Sequence, residues 1–250
     1  MSKRETKKRS KGVDLPPDEL AARRRIVKQV VEHLEAVYGV PQPDREDDPL
    51  DELIGTILSQ STTDHNSRRA FASLKSRFPD WESARRARAT SIAAAIKSGG
   101  LAQVKSVVIK NILNEIKVRT GGLDLGFLQA APLDEAQTFL TSLKGVGPKT
   151  ASCVLLFACR QPVFPMDTHI FRIARRLGLI PERGSDDEAH RLMLKLVPAQ
   201  KHYSLHINLI RHGRRICRPR EPDCERCALL EFCPTGQGLN PVFNDERVFG

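Results

Sequence analysis

The sequence of 250 residues lacks the features that would place it in a membrane or on a secretion route. Crossing a bilayer takes about 20 consecutive apolar residues, and no apolar run approaches that length. The first 12 residues contain no apolar stretch of the kind that forms a signal peptide. We therefore expect a soluble, intracellular protein with no membrane partner.

Convincing β-strands are also missing, as are internal repeats and long Gly/Ser linkers. Nearly every periodic segment carries apolar residues at the i, i+3, i+4 spacing of a helix, which predicts an all-α protein. In residues 48–61, Asp48 is suited to cap a helix and Pro49 suits its first turn. Further helices are predicted at residues 18–37, 67–77, 90–98, 103–118, 134–143, 148–158, 168–177, 185–196 and 202–215.

Acidic residues are scarcer than basic ones, at 30 against 40, which gives a net charge of +10. This excess has two explanations: a solvated surface rich in Lys and Arg, or a polyanionic partner such as nucleic acid. Hydrophobic residues make up 40% of the chain, which excludes wholesale disorder. Residues 1–16 are predicted to form a basic disordered tail with non-specific attraction for phosphates, and residues 236–250 a loose C-terminal tail.

Four of the six cysteines lie within 17 residues, in the pattern C-x6-C-x2-C-x5-C: Cys217, Cys224, Cys227 and Cys233. An intracellular context argues against pairing them as disulfides. Zinc suits four thiolates, but structural zinc sites usually offer two closely spaced pairs, and only Cys224 and Cys227 form one. The spacing therefore favours an iron–sulfur cluster, with zinc as the alternative. Cys153 and Cys159 lie in an apolar helix and are predicted to be small core residues.

A Gly-x-Gly turn separates two predicted helices within residues 140–158. Gly145 and Gly147 let the backbone turn tightly and approach another surface, and Pro148 starts the second helix. The amides of that helix's first turn point outward at the positive end of its dipole, which suits a phosphate. Lys149 lies in the same turn. An ordinary turn between two packed helices is the alternative interpretation.

Asp167, within the segment Pro165–Arg172, is a further candidate functional residue. Asp167 is a suitable N-cap for the helix that follows. The functional alternative is a carboxylate at the mouth of a cleft near Lys149. A separation of 18 residues along the chain does not distinguish the two interpretations.

Taken together, three motifs resemble the endonuclease III family of DNA glycosylases, which belongs to the helix-hairpin-helix superfamily. The motifs are LKGVGPKTA, MDTHIFR and the four-cysteine pattern, in this order. The resemblance runs from about residue 20 to residue 235. It implies an all-helical, two-lobed fold with DNA across the groove between the lobes. A six-helix lobe would span residues 49–160, and residues 17–48 with 161–235 would form a discontinuous lobe holding a 4Fe–4S cluster.

The same resemblance assigns catalytic roles to Lys149 and Asp167. A lysine amine can attack C1′ of the sugar and form a Schiff base, and a carboxylate can stabilise positive charge on the sugar. Related mismatch adenine glycosylases lack lysine at this position. The family therefore implies a bifunctional enzyme of base excision repair, a DNA glycosylase and abasic-site lyase that acts on oxidised pyrimidines in duplex DNA.

Excision requires the base to be flipped out, so the gap in the stack must be filled. Leu101, on a Gly-Gly turn, matches a wedge residue of the family, and a core leucine after a helix stop is the alternative. Gln60 stands one position earlier than the glutamine of the family's S-x-Q-x-x-D stretch, which puts the substrate preference in doubt. The cluster loop is net neutral, so its DNA contacts would rest on arginines. The predicted DNA-binding residues are Gln60, Leu101, Gly145, Val146, Gly147, Lys149, Thr150, Arg218 and Arg220.

The expected partner is double-stranded DNA that contains damaged bases or abasic sites, bound by a monomer. In a bacterium or archaeon such a protein would be cytoplasmic and associated with the nucleoid. Three alternatives stay open: a different lesion specificity such as mismatched or alkylated bases, a non-catalytic DNA-binding module, and an iron–sulfur electron carrier. Lys149 and Asp167 together argue against the second, since clamping phosphates needs neither.

Overall fold

The computed structural model describes residues 15–43, 48–182 and 184–239. All regular secondary structure in these ranges is helical, which confirms the all-α prediction. None of the helices described is long and apolar enough to cross a bilayer. Most of the two predicted tails, residues 1–14 and 240–250, lies outside the described residues.

The chain divides into two compact units. The first contains the described residues up to Pro41 and from Met166 onward. Its longest helix buries Val27, Val30 and Leu34 and packs on the last two long helices of the unit. The α-helices of this unit are α1 (Pro17–Tyr38), α9 (Thr168–Arg176), α10 (Asp186–Leu196) and α11 (His202–Arg215).

The second unit comprises the described residues of Gln42–Pro165. Its central helix, α2, is apolar on most of its surface and packs against α3, α6 and α8. As predicted, this helix is capped by Asp48, whose carboxylate accepts hydrogen bonds from the amides of Leu50 and Asp51 at 2.9 and 2.8 Å. The α-helices of this unit are α2 (Pro49–Ser59), α3 (Asp64–Arg77), α4 (Trp81–Arg86), α5 (Ala89–Ala95), α6 (Ala102–Thr120), α7 (Leu133–Ser142) and α8 (Pro148–Phe157).

The second unit thus has seven α-helices in its described residues, one more than the sequence predicted. The additional helix is α4, whose six residues are too few to show helical periodicity. Asp80 starts it by accepting a hydrogen bond from the amide of Ser83 at 2.6 Å. Thr63 likewise caps α3, which begins three residues earlier than predicted. In both places a capping residue determines where the helix begins, and the apolar pattern does not reveal it.

Candidate functional site

The hairpin joins α7 to α8 through residues 143–147. The turn is anchored by Val146, whose side chain is buried and whose amide donates to the carbonyl of Leu143 at 3.0 Å. Gly145 has φ +96°, and a Cβ there would lie 2.8 Å from Cγ1 of Val108 in α6. Only glycine fits this position, because both the backbone conformation and the space exclude a side chain.

Several amides of the hairpin have no partner in the described residues. The structure gives no acceptor, among its described residues, for the amides of Gly145, Gly147, Lys149 and Thr150. These groups lie at the positive end of the α8 dipole, and together they form a site suited to an anion. The side chain of Lys149 is exposed and forms no hydrogen bond or ion pair with the described part of its own unit. Its amine is therefore accessible to a reagent.

The two glycines of the turn give a matched pair of predictions. Gly145→Ala is expected to lower the free energy of unfolding by about 1–3 kcal/mol, because its φ is positive and Val108 occupies the space. Gly147 has φ −87° with no atom within 4 Å of an added Cβ, so Gly147→Ala is expected to change that free energy by less than about 0.5 kcal/mol. Urea unfolding of both variants checks this. Equal stability losses would contradict the account of the turn.

Leu101 is held in an unusual position immediately before α6. Its backbone is left-handed, with φ +48°, and it follows Gly100, which has φ +68°. Its side chain is 59% exposed. The alternative prediction of a core leucine is therefore wrong. A bulky residue in a left-handed conformation is strained, and such strain persists only where the surrounding structure enforces it.

Gln60 follows the end of α2 and points toward the hairpin. Its Nε2 donates a hydrogen bond to Oγ1 of Thr150 in α8, at 3.3 Å. The next residue, Ser61, is left-handed with φ +54°. The structure thus brings together Gln60 and Thr150, two of the predicted DNA-binding residues. Thr150 is buried, with 7% of its surface exposed, so its side chain offers little surface to a ligand.

Asp167 lies in the first unit, at the start of α9. Its Oδ1 accepts a hydrogen bond from the amide of Ile170 at 2.8 Å, so the capping interpretation is confirmed. Its Oδ2 has no hydrogen-bond partner in the described residues, and the side chain is half-buried. Capping uses one oxygen and leaves the other, with its charge, for a second role.

Two arginines of α9 fasten this helix to the cysteine-containing loop. Nε of Arg172 donates to the carbonyl of Cys217 at 2.9 Å, and its Nη2 donates to the carbonyl of Gly213 at the same distance. Nη1 of Arg176 donates to Sγ of Cys217 at 3.1 Å and to the carbonyl of Arg218 at 2.8 Å. The helix that Asp167 caps is therefore held in place by the loop.

The four clustered cysteines line one cavity of about 90 Å³ in the first unit: Cys217, Cys224, Cys227 and Cys233. Burial, together with the three neighbouring cysteine sulfurs, raises the pKa of the Cys227 thiol to about 11. Backbone amides of Leu229 and Gly236 donate to the sulfurs of Cys227 and Cys233, each at 3.4 Å. As the side chains stand, no group of three or more His, Cys, Asp or Glu in the described residues could hold a single metal ion. Four thiols thus line one cavity, and N–H groups donate to three of the sulfurs, those of Cys217, Cys227 and Cys233.

The two arginines predicted to contact DNA from this loop differ in their surroundings. Nη2 of Arg218 donates to the carbonyl of Glu221 at 3.1 Å, within the loop itself. Arg220 is exposed and has no partner in the part of the chain that the structure describes. Of the two side chains, Arg220 is the one available to a ligand.

Sequence analysis missed a buried lysine that lies four residues after Leu101. Lys105 is 4% exposed, and its ammonium donates to two main-chain carbonyls. A lysine in an amphipathic helix is ordinarily predicted to lie on the solvated face, because Lys is almost never fully buried. Its partners are main-chain carbonyls, and no sequence pattern marks such contacts.

An all-helical chain in which a glycine turn presents free amides at a helix N-terminus is of the helix-hairpin-helix class. The model of one family, described as the HhH-GPD superfamily base excision DNA repair protein, matches residues 54–199. The chain belongs to this family of DNA glycosylases.

Named relatives agree with this membership. Endonuclease III of Thermotoga maritima is 31% identical over 80% of this chain and 89% of its own length. An Arabidopsis thaliana protein provisionally named a DNA glycosylase is 44% identical over 69% of this chain, but the match spans only 58% of that protein. The endonuclease III chain of a non-covalent DNA complex has a TM-score of 0.74 at 23% identity, covering 86% of this chain and 97% of that one. This last similarity confirms the two-lobed helix-hairpin-helix fold.

Proposed function

We propose that this protein is a bifunctional enzyme that excises oxidised pyrimidines from duplex DNA and then cleaves the resulting abasic site. The observation that carries the proposal is Lys149, an exposed amine in the first turn of α8, beside unpaired hairpin amides. A hairpin that only binds phosphates needs main-chain amides alone. An unpaired lysine at this place supplies a nucleophile in addition, in a chain that belongs to a family of DNA glycosylases.

In the proposed reaction, the Nζ lone pair of Lys149 attacks C1′ of the flipped nucleotide. The N-glycosidic bond breaks, and the base leaves with the bonding electron pair and takes up a proton. Ring opening gives an iminium between Nζ and C1′, which acidifies the proton on C2′. Loss of that proton expels the 3′ phosphate by β-elimination, and water then releases the amine. The strand is thus cut on the 3′ side of the lesion.

Asp167 would stabilise the positive charge that develops on the sugar as the base departs. A fixed carboxylate in a water-poor site is effective in this role, because no solvent reorganisation is needed. The contact between its Oδ1 and the amide of Ile170 fixes the side chain, and its Oδ2 stays available. This role is compatible with capping α9.

DNA would be held by the hairpin amides and by exposed basic side chains such as Arg220, and the net charge of +10 favours a polyanion. Leu101 would fill the gap left by the flipped nucleotide, because it is apolar, exposed and held outward. We infer that one chain suffices for these contacts and that the protein acts as a monomer on genomic DNA inside the cell.

We further propose that the four-cysteine cavity holds a 4Fe–4S cluster. In proteins such clusters take one Cys thiolate at each iron, and hydrogen bonds to the sulfurs tune them. The N–H donors on the sulfurs of Cys217, Cys227 and Cys233 support this. When bound, the cluster would act structurally, by cross-linking the loop onto which Arg172 and Arg176 of α9 are fastened.

Protein purified without added metal is expected to be brown and to contain about four iron atoms and four acid-labile sulfides per chain. Cys217→Ser is expected to lose most of the iron and to unfold at a lower temperature, because the loop loses its cross-link. Cys153→Ala is the matched control: this thiol lies in α8 and does not line the cavity, so its loss should leave the iron content unchanged. Colourless protein with one zinc per chain would contradict the proposal.

A second candidate function, the same chemistry on another lesion, is favoured by the position of Gln60. Its side chain donates to Thr150, and it stands one position before the place where the family has its glutamine. Gln60 is extended and Ser61, which occupies the family's glutamine position, is left-handed, so a flipped base would meet a different side chain here. Mismatched and alkylated bases are therefore included among the test substrates.

A duplex with one abasic site tests the lyase half of the proposal directly. Incubation with the wild-type protein, quenched without alkali, is expected to cut the strand on the 3′ side and leave an unsaturated aldehyde on the cut end. Mass spectrometry of the products identifies it. Intact abasic DNA after many equivalents of folded protein would show that the enzyme lacks this activity.

A further inference from the structure

A buried ammonium group lies at the base of the turn that carries Leu101. Lys105, in the first turns of α6, is 4% exposed, and burial lowers the pKa of its side chain. Its Nζ donates to the carbonyl of Leu58 at 2.7 Å and to that of Gly99 at 2.8 Å. In the described residues no carboxylate pairs with it. Burying a charge is costly, so a buried lysine bound only by carbonyls indicates a specific structural role.

The two carbonyls belong to the two chain segments that lead to Gln60 and to Leu101. Leu58 is in the last turn of α2, two residues before Gln60. Gly99 is in the 3₁₀ turn two residues before Leu101. Both carbonyls lie at the C-terminal ends of their helices, where the dipole favours a cation. One ammonium therefore joins the Gln60 segment to the Leu101 segment.

The packing around Gly99 leaves little freedom for a different arrangement. A Cβ on Gly99 would lie 3.0 Å from the Cβ of Ala70 in α3 and 3.9 Å from the carbonyl oxygen of Leu58. The turn is thus pressed against α2 and α3, and Lys105 fastens it there. Leu101, with φ +48°, is strained in its left-handed conformation. Such a residue keeps its conformation only where surrounding contacts enforce it, and the contacts of Gly99 and Lys105 do so.

We propose that Lys105 is a positioning residue for base flipping. By bridging the carbonyls of Gly99 and Leu58, it fixes the positions of Leu101 and Gln60 relative to each other. The proposal rests on the proposed function, since it assumes that the wedge enters duplex DNA. Lys105 itself touches no substrate. Its contribution is to restrict the motion of the strained turn before DNA binds. Insertion of Leu101 into the duplex then loses less conformational entropy, because the turn is already ordered.

Lys110 offers a matched control on the same helix. Its Nζ also donates to two main-chain carbonyls, those of Arg85 and Ala87, at the end of α4. Lys110 is half-buried, and these carbonyls have no link to the Leu101 turn. Each of the variants Lys105→Met and Lys110→Met therefore removes one lysine that bridges two carbonyls. Only the bridge of Lys105 contacts the turn that carries Leu101.

Hydrogen exchange on the free protein tests the bridge without DNA or activity. In Lys105→Met, the hydrogen-bonded amides of Gln60, Gly99 and Gly100 are expected to exchange at least about tenfold faster than in wild type. In Lys110→Met the same amides are expected to keep their wild-type rates. Uniform loss of protection across the second unit, or no change at these amides, would overturn the proposal.

A double-mutant cycle tests the link to function. The single-turnover rate of excision of a base-paired lesion is expected to fall about 10- to 100-fold in Lys105→Met. Misplacing a positioned group by about 1 Å lowers a reaction rate by up to about 100-fold. Cleavage at a pre-formed abasic site, where little unstacking is needed, should fall by a much smaller factor. In the Leu101→Gly background the effect of Lys105→Met on excision should shrink, because the two residues act through one turn. Independent effects that multiply would overturn the proposal.

The two tests separate the bridge from the proposed function. If wild-type protein excises no lesion, the proposed function fails, and hydrogen exchange alone decides whether Lys105 orders the turn. If excision is normal in Lys105→Met while its turn is loosened, the proposed function stands and the positioning role is overturned.

Discussion

Replacing Lys149 with glutamine is expected to abolish covalent trapping of the protein on abasic DNA by borohydride. Trapping requires an iminium between Nζ and C1′, and a glutamine amide cannot form one. Strand cleavage at abasic sites should fall with it, by at least about 1,000-fold. Gel electrophoresis of the reduced complex and single-turnover cleavage rates measure the two effects.

Lys144→Gln is the control for this experiment. Lys144 is an exposed lysine of the same turn and, like Lys149, has no partner in the described residues of its unit. Removing its charge should leave trapping in place. DNA affinity should fall only slightly in Lys149→Gln, because main-chain amides supply the phosphate site. Trapping that persists in Lys149→Gln would assign the nucleophile to another amine.

Asp167→Asn is expected to slow base excision by about 100- to 1,000-fold while the protein stays folded. Asparagine caps helices as well as aspartate does, so its side-chain oxygen can still accept from the amide of Ile170. The substitution thus removes the negative charge and keeps the cap. Cleavage at a pre-formed abasic site should be affected less, since the base has already left. Single-turnover rates on both substrates measure this difference.

Asp48→Asn provides the matched capping control. Asp48 caps α2 as Asp167 caps α9, by accepting hydrogen bonds from the first amides of its helix. Thermal unfolding of both variants should shift by only a few degrees, in keeping with a capping change of a few tenths of a kcal/mol. An Asp167→Asn protein that is folded and excises at the wild-type rate would remove Asp167 from the catalytic groups.

The helices were largely predictable because their signals are local. The apolar spacing of α2, the capping box at Ser185 and the glycine stop of α6 at Gly121 are all visible in a short window of sequence. The short helix α4 was not predictable, because its start depends on a single Asp80 cap and its six residues span fewer than two turns. Periodicity needs a longer segment to become visible.

The site was predictable only where a sequence motif marks it. The four cysteines were identified by their spacing, whereas Lys149 was assigned its role only through the resemblance of its motif to a family. For Leu101 the sequence allowed a wedge or a core residue, and exposure with a left-handed backbone excluded the core. Lys105 was missed because its partners are carbonyls 47 and 6 residues away in the chain, which no sequence pattern marks.

A panel of duplex oligonucleotides, each with one defined lesion, tests the central claim most directly. The panel contains oxidised pyrimidines, alkylated bases and mismatches, and each reaction is divided and analysed with and without hot alkali. Our account predicts that oxidised pyrimidines are excised fastest and that the strand is cut without alkali, by an amine that Lys149→Gln removes. Two results would contradict it: bases are removed but the strand is cut only after alkali is added, or no oxidised pyrimidine is excised.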